Sequence, residues 1–117
     1  MILPPYKIDS LSWTMGKISA QAELVKRGVR PVAEITVHKD CFQAAIEEVE
    51  RFNLYTRCIP KGENHTEIYL FQHSHLGNVV EYLNDNQESS EIFFAWCCGK
   101  LFGYSEYQIG EFIERNL

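Results

Sequence analysis

The stretch Ile92–Phe102 constrains this chain more than any other feature. It reads Ile-Phe-Phe-Ala-Trp-Cys-Cys-Gly-Lys-Leu-Phe, so a helix drawn through it is apolar nearly all round. Such a helix has no side to offer to water and must be enclosed by other elements or by another subunit. It cannot be a membrane span, because no run in the chain approaches the roughly 18 apolar residues a span needs. The chain has 117 residues, enough for one hydrophobic core and one domain over 1–117. The C-terminal third therefore reads as a tightly packed helical unit belonging to that core.

The rest of the chain supplies a sheet for this helix to meet. Asp9 or Ser10 caps a first helix from about Leu11 to Arg27, with Leu11, Ile18, Ala22 and Val25 on one side and Gly28 as its stop. Ala33, Ile35 and Val37 then alternate with Glu34, Thr36 and His38, the period-two pattern of a half-buried strand. Asp40 and Gln43 have capping-box spacing and open a helix whose apolar side carries Phe42, Ile46, Val49 and Phe52. Residues 54–60 and 66–72 form a hairpin around the turn 61–65. Ser74 caps a helix with Leu76, Val79, Val80 and Leu83, and a polar loop from Asn84 to Ser89 follows. Beyond the apolar stretch, Gly103 stops the chain and Ser105 with Gln108 makes a second capping box for a last helix.

The expected architecture is α+β: a three-stranded β-α-β-β sheet of split β-α-β type, an N-terminal helix and a three-helix C-terminal part. The fourth strand of the full motif is missing. The open sheet edge that results must be covered or otherwise protected.

Charge narrows the function. The formal net charge is −5, made of +2 in residues 1–40 and −7 in residues 41–117. An acidic chain without a basic stripe argues against a nucleic-acid partner, whose phosphates must be neutralised. Met1-Ile2-Leu3-Pro4-Pro5 lacks the pattern of a signal peptide, which points to the cytoplasm. The four cysteines, 41, 58, 97 and 98, have no scaffold spacing and read as reduced, buried thiols.

Three chemistries remain to be weighed. His38, Cys41, His73 and His75 supply zinc-ligand types, but the topology puts His38 beside His65 at one end of the sheet and His73 and His75 at the other. A metal-dependent regulator built on His73 and His75 stays as an alternative, while the expected cofactor and metal are none. A small enzyme using Cys41 and His38 is the second alternative, since a thiol in a first helical turn is favoured as thiolate. The scattered glycines offer no phosphate loop.

The best functional surface is the sheet face that carries Tyr55, Arg57, Glu67, Tyr69 and His73, with Glu34, Thr36, His38 and Phe71 beside them. Tyr and Arg combine contact area with hydrogen bonding, which suits recognition. Arg57 falls opposite or diagonal to Glu67 in any register that keeps the faces. Either the face is an open binding surface or the N-terminal helix covers it. The resulting expectation is a non-catalytic binding or regulatory protein, homo-oligomeric, that captures a protein partner or a small ligand, a signalling nucleotide among them, for which Arg57, Tyr55 and Tyr69 would serve phosphate and base contacts.

Gly99-Lys100-Leu101-Phe102-Gly103-Tyr104, followed by Ile109 and Phe112-Ile113, resembles the closing segment of small uncharacterised proteins carried by phages and prophages. In those a Gly-Tyr turn joins two helices. The resemblance implies an accessory role, such as inhibition of a host or defence factor, and attaches no catalytic residue.

Overall fold

The period-two pattern produces the sheet. In a computed structural model, which describes residues 10–86 and 91–117, three strands form: β1 (Val32–His38), β2 (Tyr55–Lys61) and β3 (His65–Phe71). Their order is β1-β3-β2, and β3 is antiparallel to both neighbours. The parallel strands β1 and β2 are thus split by β3, the arrangement expected from strand, helix and hairpin. Helices α1 (Ser10–Lys26), α2 (Phe42–Arg51), α3 (Leu76–Asp85), α4 (Glu91–Leu101) and α5 (Glu106–Asn116) complete the α+β fold. Asp9 and residues 87–89 of the expected polar loop lie outside the described residues.

One sheet face carries Ala33, Ile35, Val37, Ile68 and Leu70, all buried. Helices α1 and α2 cover it, contributing Ile18, Ala22, Val25, Ala45 and Val49 to one continuous core. The N-terminal helix therefore sits on the apolar face and does not cover the polar one. Its apolar stripe points to the alternating branched residues of β1, and that is where burial gains most.

The polar face is covered only in part. Val32 and Phe71 meet Val80 of α3 in a second core, with Leu76, Leu101, Phe102, Tyr69 and Ile59 packed around them. At the other end Thr36, Lys61 and His65 stay exposed. The outer edge of β2 is blunted by Pro60, which has no N–H to offer an added strand, and by Lys61.

The caps divide between expectation and correction. Ser105 and Gln108 form both bonds of a capping box. Asp40 does not cap α2: the His38 ring accepts the Asp40 N–H and the chain first makes a 3-10 turn, Lys39–Cys41. Ser74 does not cap α3, whose N-cap is His75 without a side-chain bond. At Gly28 and Gly103 the helix stops are as expected. Gly103 has φ +84°, and the N–H groups of Gly103 and Tyr104 donate to the carbonyls of Lys100 and Gly99 at 3.1 and 2.9 Å, closing a Schellman motif.

The expected tight packing of the C-terminal third is not what forms. Helix α4 has no buried residue, and Ile92, Phe93 and Trp96 are 58%, 59% and 37% exposed. Helix α5 buries Ile109 alone, seated against Gly99 so closely that an added Cβ would lie 2.5 Å from its Cγ1. With α1 and α2 spent on the other face, α4 lies, among the described residues, against the sheet end, α3 and α5.

Two glycine substitutions check this account. Gly103→Ala puts a Cβ at positive φ, 2.8 Å from Arg30 Cβ and 3.1 Å from its Cα, and is expected to lower stability by about 2 kcal/mol. Gly16→Ala, inside α1 with nothing within 4 Å of the new methyl, is expected to raise it by about 0.5–1 kcal/mol. Urea denaturation measures both.

Candidate functional site

The polar atoms of the outer sheet face converge where β3 runs between its neighbours. Glu67 on β3 is opposite Thr36 on one side and Ile59 on the other, and Tyr69 is opposite Glu34 and Arg57. Glu67 is only 7% exposed, which a carboxylate tolerates when it is hydrogen-bonded. Lys61 Nζ donates to its Oε1 at 2.5 Å and Tyr69 Oη donates to its Oε2 at 2.6 Å. Burial alone would raise the Glu67 pKa, but these two donors and the ammonium charge outweigh it and hold the carboxyl below its ordinary 4.5. Tyr69 is pushed the other way, by burial and by giving its proton to Glu67.

Glu34 lies across the strand from Tyr69 and has no hydrogen bond or ion pair among the described residues. Burial and the neighbouring Glu67 raise its pKa, and the charge of Lys61 opposes this. Glu34 and Tyr69 open into a cavity of about 210 Å³ between the sheet, α3 and α4. Its other walls are Val80, Leu83 and Asn84 of α3, and Phe94, Cys98, Leu101 and Phe102 from α4 and its C-terminus. Burial, with Cys97 and Glu34 nearby, pushes the Cys98 thiol up to about 11, so it is a neutral wall group at physiological pH.

The other residues expected at this site go elsewhere. Arg57 has the predicted register, diagonal to Glu67, yet its guanidinium pairs with Glu81 of α3. The reason is the seating of α3: Arg57 lies against Gly77, where a Cβ would come within 2.5 Å of Nη2. Tyr55 stacks on Phe71 with ring centroids 6.1 Å apart, at the opposite end of β2 from Lys61. His73 stacks on His75 at 6.1 Å beyond the end of β3. Glu67 and Tyr69 are brought together, and Tyr55, Arg57 and His73 are not part of their cluster.

The alternatives gain little from the geometry. His38 stands beside His65, ring centroids 5.2 Å apart, and opposite ends of β3 separate this pair from His73 and His75. Among the described residues no three of His, Cys, Asp and Glu converge as metal ligands. Cys41 is buried at 5% exposure, and the Nδ1 of His38 accepts the Asp40 N–H. The four cysteines are free, but only Cys41 is buried; Cys97 and Cys98 are half-buried and Cys58 is exposed. Cys58 does face Thr56 and the α2 side, but β2 is an edge strand and leaves it open. No helix among the described residues is long and apolar enough to cross a membrane.

A second, larger concavity of about 680 Å³ runs between α4 and α5, lined mainly by Phe94, Ala95, Phe102, Ile109, Phe112 and Leu117. It shares Phe94, Cys98 and Phe102 with the smaller cavity, so one face of α4 separates the two. Sequence reasoning missed Lys61, assigned to the turn, although it follows Arg57 and Ile59 at strand period two. It also missed the cavity wall from α4, which no local pattern places over the sheet. Comparison with family models, with curated proteins and with solved structures gives no match to this chain.

The two carboxylates have opposite pH signatures. Glu67, with its pKa lowered, contributes stability that is complete above 4.5 and is lost as pH falls through its folded value. Glu34, with its pKa raised, costs stability as pH rises from 4.5 through its folded value. Glu34→Gln is therefore expected to stabilise the protein at neutral pH, with the gain vanishing at about pH 3, where the native carboxyl is already protonated. Tyr69→Phe, which leaves buried Glu67 one donor short, is expected to cost about 1–3 kcal/mol at neutral pH. Urea titrations at both pH values read these outcomes.

Proposed function

We propose that this is a non-catalytic binding protein that takes a small ligand into the cavity bounded by Glu34 and Tyr69 and works as a homo-oligomer assembled through α4. The observation that carries the reading is the double role of α4. One side of the helix walls the cavity, and the opposite side carries Ile92 and Trp96, 58% and 37% exposed among the described residues. Apolar side chains grouped on one exposed helix face favour a protein cover in solution. Lys100 lies on the same face with its ammonium 5.5 Å from the Trp96 ring, and its ion pair with Glu106 offsets that charge where a second copy meets it. Assembly there also fixes the wall of the ligand site, because Phe94, Cys98 and Leu101 ride on the same helix.

Catalysis is disfavoured by what surrounds the reactive groups. Cys98 is a neutral thiol, Cys41 is buried and Glu67 is locked by two donors. A nucleotide ligand is disfavoured as well. The charge the cavity presents is the Glu34 carboxylate, which repels phosphate, and no cation is among its described lining residues. Inhibition of a host or defence factor rests on the sequence resemblance of residues 99–113 alone, and the geometry adds nothing to it.

Sedimentation velocity tests the assembly. The wild-type protein is expected to run as a dimer or larger, and the double variant Ile92→Ser/Trp96→Ser as a monomer with unchanged circular dichroism. A wild-type monomer at all concentrations contradicts the reading.

A further inference from the structure

The small cavity brings together the oxygens of Glu34 and Tyr69 and the side-chain amide of Asn84. Glu34 offers carboxylate oxygens that have no hydrogen bond or ion pair among the described residues. Tyr69 has given its hydrogen to Glu67 at 2.6 Å, so its phenol oxygen can only accept. Locally, two carboxylates, Glu34 and Glu67, stand against one cation, Lys61, and Lys61 is engaged by Glu67 at 2.5 Å. Apart from Asn84 the other walls are apolar or weakly polar, Val80, Leu83, Cys98 and Leu101, with the rings of Phe94 and Phe102 beside that of Tyr69. Tyr69 and Phe102 stack on each other with centroids 6.4 Å apart. A carboxylate without a protein partner, a negative excess and aromatic rings in one concavity favour a cationic ligand that carries an apolar body, and they repel anions.

Size limits the choice further. A volume of about 210 Å³ holds roughly seven waters at about 30 Å³ each, below the range of drug-sized sites. From these observations we infer that the cavity binds the head of a small alkylammonium, with the cationic nitrogen against Glu34 and its alkyl groups against Tyr69, Phe94 and Phe102. This rests on the reading of the cavity as a ligand site and names the chemical class of the ligand. The alkylammonium is either a free small amine or a lysine side chain presented by another protein, and the chemistry at Glu34 is the same for both.

Four probes titrated into the intact protein, followed by amide and aromatic NMR shifts, test it. They are choline, Nα-acetyl-lysine-methylamide, the uncharged choline isostere 3,3-dimethyl-1-butanol, and inorganic phosphate. At least one of the two cations is expected to bind with a dissociation constant on the order of 1 mM, shifting residues on the cavity walls. The tighter of the two identifies the source. Glu34→Gln, a variant expected to fold with at least native stability, should weaken that cation about tenfold or more and leave the neutral isostere unchanged. If the isostere binds as well as the cations, or if Glu34→Gln has no effect on them, the cavity is a ligand site but the cation inference is wrong. If no probe shifts the cavity walls in the folded protein, both the inference and the ligand-site reading fail. Phosphate binding there overturns the charge argument.

Discussion

The structure depends on one constraint: β3 is the central strand of a three-stranded sheet, and both of its faces must be kept from water. Ile68 and Leu70 solve one face in the ordinary way, against α1 and α2. On the other face Glu67 sits between Tyr69 and His65 along the strand, buried as deeply as a core residue. A charged carboxylate there is tolerable only because Lys61 from β2 and Tyr69 from β3 itself both donate to it. Removing either donor leaves an underbonded charge next to the second core. The hydrogen-bonded triad thus fixes how the outer face is built, and it leaves Glu34 as the carboxylate without a donor.

What happens to α3 and α4 follows from this. They reach the outer face from the end occupied by Val32 and Phe71, where apolar contact is available, and extend as far as the Tyr69 ring, on which Phe102 stacks. Arg57, bonded to Glu81 and lying against Gly77, holds α3 at that limit. The cavity is the space left between apolar packing that ends and a polar cluster that does not need covering. Because α4 reaches only part of the sheet, Ile92 and Trp96 on its far side stay exposed among the described residues, which makes the apolar helix both wall and surface.

Much of this was legible in the residues. Alternation in β1 and in the hairpin sets both faces and the register, and that register places His38 with His65 and Arg57 diagonal to Glu67 as expected. Helix stops at Gly28 and Gly103 and the Ser105 box are local chemistry, and local chemistry is readable. The failures are tertiary. Asp40 loses its capping role to a His38 ring that the turn brings closer. Arg57 leaves Glu67 for Glu81 because α3 lies over β2, a contact between residues 24 apart in sequence. The apolar pattern of Ile92–Phe102 demands enclosure but does not say which of its sides the described elements cover. Only Glu67 and Tyr69 among the expected site residues stay together, since strand periodicity assigns a face but not the direction a long side chain takes along it.

The account stands or falls on the unequal state of two neighbouring carboxylates. NMR titration of the side-chain carboxyl carbons of Glu34 and Glu67 measures it directly. Glu67 should titrate below 4.5 and Glu34 above it, with the order of the two reversed for neither. Midpoints that coincide at the ordinary value, or Glu67 titrating above Glu34, would show that the donors to Glu67 and the cavity at Glu34 are not there in solution.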